Sequence, residues 1–188
     1  MEDRRPRERK PKPFTAKRAW DYLIFLLSRR SYTVAELRDR LLRRGLPAEE
    51  AEPLLTRLAE LRLVDDALYA EQYVQSRKQS RGRIVLRREL RRKGVSEDLV
   101  DKEVSELSGA QQADAATELL QKNAWRYQPP AAGVDSGDGS VSDEQRYEHR
   151  QLVYKARAKA FGFLARRGFG ADAAVQALER VGWFGDDD

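Results

Sequence analysis

The sequence predicts an all-α protein built as three tandem three-helix repeats in an elongated, curved array. Three observations predict it. Apolar residues recur at helical spacing, a glycine-centred helix stop occurs three times, and no stretch shows the sustained polar–apolar alternation of a strand.

The elements follow in order. Trp20, Leu23, Ile24 and Leu27 fall at i, i+3, i+4 and i+7 and place a helix over 15–30. Val34, Leu37 and Leu41 place a second over 33–44, opened by a capping box from Thr33 to Glu36. Ala51, Leu54, Leu55 and Leu58 place a third over 47–61. The second unit has helices near 66–80, 82–93 and 96–107, and an aspartate of the pair Asp65–Asp66 caps the first of them. The third has 109–126, 150–167 and 170–181, giving nine helices.

The repeated stop reads LLRRGL (41–46), LRRKGV (90–95) and LARRGF (164–169). Each copy places a leucine four residues before Gly45, Gly94 or Gly168 and an apolar residue directly after it. This is the sequence form of a Schellman stop, in which the glycine takes a left-handed backbone and the next residue packs back on the leucine. Leu55, Val104 and Leu178 each follow their glycine by ten residues, and the period is close to 50 once a 20-residue insertion is set aside. The domains expected are repeat 1 over 14–64, repeat 2 over 65–108 and repeat 3 over 109–185. Residues 1–13 hold three prolines and few apolar side chains, which predicts a disordered basic arm. Residues 128–147, rich in Pro, Gly, Ser and Asp, predict a flexible insertion, and Gly185–Asp188 a frayed tail.

Composition narrows the chemistry. The 188 residues include no cysteine and one histidine, His149, so thiolate and multi-histidine metal sites are excluded. No apolar run approaches a membrane span, and the basic start has no signal-peptide core, so a cytoplasmic protein is expected. Neither a phosphate-binding glycine loop nor a serine elbow occurs, and no cofactor, metal or catalytic residue is expected. Asp65–Asp66 could tempt a nuclease reading, but helix capping explains it better. His149, beside the insertion, reads as a bystander.

Charge is more informative. The net charge is +5, but residues 76–93 alone carry nine basic residues and one acidic, a net of +8. On the helix over 82–93, Arg83, Arg87 and Arg91 fall at i, i+4, i+8, with Arg88 and Arg92 beside them; Leu86 and Leu90 form the opposing apolar stripe, with Ile84 or Val85 nearby. Like charges at i, i+4 repel, so helix stability alone does not select this stripe. Glu89 is the only acid in the block, which leaves most of these cations without a local partner unless acids from the other units supply one. The candidate contact residues are Arg77, Arg81, Arg83, Arg87, Arg88, Arg91, Arg92 and Lys93, followed by Arg40, Arg43 and Arg44 of the first unit. Arginine suits phosphate and carboxylate alike. The arm arginines Arg4, Arg5, Arg7 and Arg9 have a weaker claim, and Tyr69 and Tyr73 read as core.

These residues resemble the RecX family, bacterial regulators of the RecA recombinase. AWDYLIFLLSRRSYTVAELRDRLLRRG resembles that family's opening repeat. Asp65–Asp66, Tyr69–Ala70, Tyr73–Val74, Arg77, Gly82, Glu89–Leu90 and Lys93–Gly94–Val95 fall in the family's order, and unit three adds Lys155 and RRGF (166–169). The family usually follows its glycine with proline and basic residues, whereas Gly82 is followed by Arg83, Ile84 and Val85. The resemblance implies a non-enzymatic, monomeric protein. It would lodge in the groove of the RecA filament on single-stranded DNA, bridge protomers, and block filament growth or promote disassembly, so reducing ATP hydrolysis and strand exchange and modulating recombination, repair and the SOS response. Two other readings stand beside it. One is an autonomous DNA-binding module, duplex DNA included, which the scarcity of Asn and Gln on the basic helix disfavours. The other is a helical adaptor whose basic face is only solvated.

Overall fold

The structure, a computed structural model, describes residues 14–130 and 142–184. The expected arm and its arginines, the centre of the insertion and the tail from Gly185 lie outside the described residues. Those described hold ten helical segments and no strand: α1 Ala16–Leu27, α2 Val34–Arg43, α3 Ala48–Glu60, α4 Asp66–Arg77, α5 Arg83–Arg92, α6 Glu97–Ser105, α7 Gly109–Lys122, α8 Ala124–Tyr127, α9 Asp143–Arg166 and α10 Ala171–Val181. Nine correspond to the expected helices, and α8 is the tenth. The helix expected over 109–126 breaks at Asn123, whose side-chain amide donates to the Leu119 carbonyl at 2.8 Å and competes with the helical ladder there. The insertion expected over 128–147 is shorter than it looked. Ser142 and Gln145 form a capping box that starts α9 at Asp143, inside the stretch assigned to the insertion.

The chain forms two compact units, residues 1–69 and 70–188, divided within α4. In the first, α1, α2 and α3 bury Ala19, Leu23, Leu37, Leu41, Ala51, Leu55 and Leu58. The two aspartates do two different jobs. Asp65 caps its own helix, its carboxylate accepting from the Ala67 and Leu68 N–H groups at 2.9 and 3.0 Å. Asp66 reaches back 32 residues and accepts from the Val34 N–H, at the start of α2, at 2.9 Å. Thr33 caps the same start, its hydroxyl accepting from the Glu36 N–H at 3.1 Å. Burial raises the Asp66 carboxyl above its ordinary pKa, the Asp65 and Glu36 charges adding to it against the Val34 N–H and Arg38.

All three expected stops are Schellman turns. Gly45, Gly94 and Gly168 have φ of 84°, 78° and 87°. Leu46, Val95 and Phe169 donate their N–H to Leu41, Leu90 and Leu164 at 3.1, 3.2 and 3.2 Å, and each leucine is buried with its apolar partner. The sequence hid a fourth copy. Arg62 takes φ of 53° and Leu63 donates to Leu58 at 2.9 Å, so α3 ends the same way without a glycine.

In the second unit, α4 to α6 bury Ala70, Val74, Val85, Leu86, Leu90, Val100 and Val104. Thus Val85 joins the apolar stripe, while Ile84 is 60% exposed. Helices α7 to α10 form the other cluster around Leu120, Phe163, Leu164, Phe169 and Leu178, with Tyr127 stacked on Phe163 at 4.7 Å. The two halves join through backbone. The N-terminus of α5 sits on the turn that ends α9: Gly82 N–H donates to the Arg167 carbonyl at 2.9 Å and Ile84 N–H to the Gly168 carbonyl at 3.1 Å. Arg83 N–H donates to the buried Gln112 side chain of α7 at 2.9 Å. Donors that a helix leaves orphaned thus meet acceptors that another helix leaves orphaned, positive end against negative. Only glycine permits the approach, since a Cβ on Gly82 would lie 2.1 Å from the Gly168 oxygen and one on Gly168 would lie 2.5 Å from the Val85 nitrogen.

Two predictions follow from this geometry. Gly45→Ala meets open space and costs only the left-handed backbone, about 1–2 kcal/mol. Gly82→Ala must push backbone apart and costs about 3 kcal/mol or more. Urea denaturation followed by circular dichroism separates them, and equal losses would contradict the dock. Asp66→Ala loses the α2 cap, about 1 kcal/mol, while Asp66→Asn retains the acceptor. A raised carboxyl pKa means that the folded chain holds this proton more tightly than the unfolded chain. The stabilisation linked to Asp66 is therefore present below the ordinary carboxylate range and is lost as pH rises through the raised value. Denaturation midpoints of Asp66→Asn measured from acid to neutral pH should lack that fall.

Candidate functional site

The basic block of α5 divides by partner. Arg87 and Arg91 lie one turn apart on α5, and Glu97 and Asp101 lie one turn apart on the following helix, running the other way. Arg87 Nε lies 3.0 Å from Asp101, and Arg91 pairs with Glu97. This corrects the expectation that these cations lack a local partner: the acids come from α6 of the same repeat. A second group gathers around Tyr73, whose hydroxyl donates to Glu89 at 3.0 Å. Arg77 stacks over the Tyr73 ring at 3.9 Å, Lys93 lies 5.6 Å from its centre, and Arg81 lies 3.8 Å from Glu89. Burial raises the Tyr73 hydroxyl pKa, and the Glu89 hydrogen bond and charge raise it further. Tyr69 and Tyr73 are half-buried rather than core; Tyr73 is the post around which its neighbouring cations are arranged.

Arg88 and Arg92, at i and i+4, remain. Both are exposed and neither makes an ion pair among the described residues. Exposed Ile84, one turn before Arg88, extends them into a stripe. Arg83 is held differently, its backbone bound by Gln112 and its Nε buried with no hydrogen-bond partner among the described residues.

In the first unit, Arg40, Arg43 and Arg44 line an open cleft of about 350 Å³ with Tyr22, Glu36 and Asp39. Arg44 lies over the Tyr22 ring at 3.9 Å and over Phe14 at 5.5 Å. Arg40 lies over Tyr32 at 5.0 Å, with Arg30 on the same ring at 3.8 Å. Burial alone would raise the Tyr22 hydroxyl, but hydrogen bonds and charge from Arg40 and Arg44 hold it below its ordinary pKa. Arg43 lies 4.0 Å from Asp39 and, like Arg44, is exposed, whereas Arg40 is half-buried. Sequence reading missed Tyr22, Tyr32 and Gln112, whose roles depend on contacts distant in the chain. It also missed Glu97 and Asp101, whose matching spacing to Arg87 and Arg91 was visible.

Among the described residues no cluster of three or more His, Asp or Glu side chains could hold a metal, and no helix is long and apolar enough to cross a membrane. His149 sits half-exposed on α9. Because the α5–α6 pairs are open to solvent, Arg87→Ala or Arg91→Ala should each cost less than about 1 kcal/mol in urea denaturation. A loss several times larger would contradict a screened surface ladder.

Comparison with known proteins gives one answer. A family model described as RecX, first three-helix domain, matches residues 19–58, and one described as RecX, second three-helix domain, matches residues 65–102. The chain is 37% identical over 165 residues to the regulatory protein RecX of Thermobifida fusca, covering 86% of this chain and 77% of that one. It is 33% identical over 175 residues to that of Mycobacteroides abscessus, covering 92% and 76%. The fold is similar to the crystal structure of RecX from Lactobacillus salivarius, with TM-score 0.66, 19% identity, 88% of this chain and 96% of that one. A second solved structure, titled as the regulatory protein RecX, gives TM-score 0.63 at 22% identity, over 87% of this chain and 73% of that one. With its helical repeats and its relatives in agreement, the chain belongs to the RecX family of regulatory proteins.

Proposed function

We propose that this protein binds the RecA filament on single-stranded DNA, in its helical groove, and restrains ATP hydrolysis, filament extension and strand exchange. In the cell that activity would modulate recombination, repair and the SOS response from the cytoplasm, with the protein acting as a monomer and without catalysis of its own. The observation that carries it is the outward stripe of Arg88, Arg92 and Ile84 on a helix whose Arg87 and Arg91 are paired with α6. An outward row of cations free of internal ion pairs suits a groove lined by acidic protein and phosphate, because arginine pairs bidentately with either. Arg40, Arg43 and Arg44 form a second contact at the Tyr22 cleft. The repeats are the functional domains: 14–64, 65–108 and 109–185.

Autonomous duplex binding through α5 fits less well. A recognition helix presents its N-terminal residues to base edges. Here that end is bonded to Arg167, Gln112 and Gly168. No Asn or Gln lies on α5 to read a base.

The test is ATP hydrolysis by RecA on single-stranded DNA, titrated with this protein below one copy per RecA protomer. Strong inhibition at such ratios is expected, since competition for DNA alone requires near-saturating amounts. No effect in excess with a matched recombinase would remove this reading. The double variant Arg88→Glu/Arg92→Glu should raise the half-inhibitory concentration at least about tenfold while leaving circular dichroism unchanged. Undiminished inhibition would move the contact elsewhere.

A further inference from the structure

We propose that the Tyr22 cleft of the first repeat binds the phosphate chain of a free polyphosphate, pyrophosphate or a nucleoside triphosphate, through Arg40 and Arg44. The site itself needs no recombinase. Only its consequence, that bound polyphosphate competes with the filament for the same arginines, rests on the filament reading.

The second repeat supplies the comparison. Ala19 and Leu23 of α1 match Ala70 and Val74 of α4, all four buried, which sets Tyr22 against Tyr73. Arg40 and Arg44 stand five and one residues before Gly45, and Glu89 and Lys93 stand five and one before Gly94. In the second repeat the tyrosine hydroxyl donates to Glu89 at 3.0 Å, with Lys93 beside the ring and Arg81 3.8 Å from the carboxylate. That repeat carries its own anion. In the first repeat a cation, Arg40, stands where the anion stood, while the cation beside the ring is kept: Arg44 stacks on Tyr22 at 3.9 Å.

Like charges four residues apart on a helix repel. Here rings hold them, Arg44 over Tyr22 and Phe14 and Arg40 over Tyr32. Both guanidiniums act on the Tyr22 hydroxyl. Neither makes an ion pair among the described residues. The two carboxylates of the cleft lie against other arginines, Glu36 at 3.7 Å from Arg30 and Asp39 at 4.0 Å from Arg43. The negative end of a helix favours cations. Yet α5 ends in the same way with Glu89 at this place, so the helix end alone does not select Arg40.

A phosphate chain answers this arrangement. A terminal phosphate carries about −1.5 to −2 charge near neutral pH and offers three acceptor oxygens. These suffice for two guanidinium forks and for the Tyr22 hydroxyl as donor. A carboxylate or a nucleic-acid linkage brings a single charge. The cleft, at about 350 Å³, has room for a second phosphoryl group, which would meet Arg43.

The experiment is isothermal titration calorimetry of the full chain with pyrophosphate and, separately, with ATP, without recombinase, DNA or divalent metal. One site with a dissociation constant below about 1 mM is expected. Arg40→Glu, which gives the first repeat the residue found in the second, should weaken binding at least about tenfold, as should Arg40→Gln/Arg44→Gln. Lys155→Gln/Lys159→Gln removes as much charge from α9 and should keep at least half of the affinity. Circular dichroism checks the fold of each variant. Equal affinity for the two ligands assigns recognition to the phosphate chain, and tighter binding of ATP adds the nucleoside. The proposal is overturned if neither ligand binds by about 10 mM, or if Arg40→Glu binds as tightly as wild type. It is also overturned if polyglutamate, or oligothymidylate without terminal phosphates, displaces pyrophosphate at equal concentration of charge. That result would mark an acidic protein or a nucleic-acid backbone as the occupant. Filament inhibition is read in a different assay, so either reading can fail alone.

Discussion

The second unit depends on a contact between two ends of backbone. Gly82 and Ile84 give their N–H groups to Arg167 and Gly168, and Arg83 gives its own to Gln112. A helix start normally leaves these donors to a side-chain cap or to water. Here the stop of one repeat serves as the cap of another. The contact requires a glycine on both sides, because either Cβ would fall inside the other strand of backbone. It also fixes the rotation of α5 about its axis, and with it which arginines face α6 and which face solvent.

That rotation sorts a charge block that looked uniform. Arg87 and Arg91 are placed against Asp101 and Glu97, and Arg77, Arg81 and Lys93 are drawn around Tyr73 and Glu89. Such exposed pairs contribute little to stability. Their effect is to fix side chains that would otherwise sample many rotamers, and to lower the local field around α5. A surface of this kind has a defined direction.

The helices and their stops were legible because each is encoded locally. A leucine, a glycine and an apolar residue within six positions specify a Schellman turn, and all three copies formed. Arg62 shows the limit of that code: Leu58 and Leu63 made the same turn with no glycine to announce it. Asp65 acted within its own helix and was readable as a cap. Asp66 acted 32 residues away, and only the fold shows that. The start of α9 was hidden by composition, since Ser142 and Asp143 look like the loop before them until Gln145 completes the box. The cations of α5 were identified as residues but not by partner. Their pairing with Glu97 and Asp101 needed the antiparallel register of two adjacent helices, which spacing alone suggests and packing decides.

Amide hydrogen exchange at Gly82, Arg83 and Ile84 tests the central contact most directly. The first amides of a helix ordinarily exchange quickly because they have no partner within the helix. If the dock onto Arg167, Gln112 and Gly168 holds α5, these three should exchange as slowly as the buried amides of Leu86 and Leu90. Rapid exchange at all three, with Leu86 and Leu90 still protected, would mean that α5 starts free and that its outward face is set by something else.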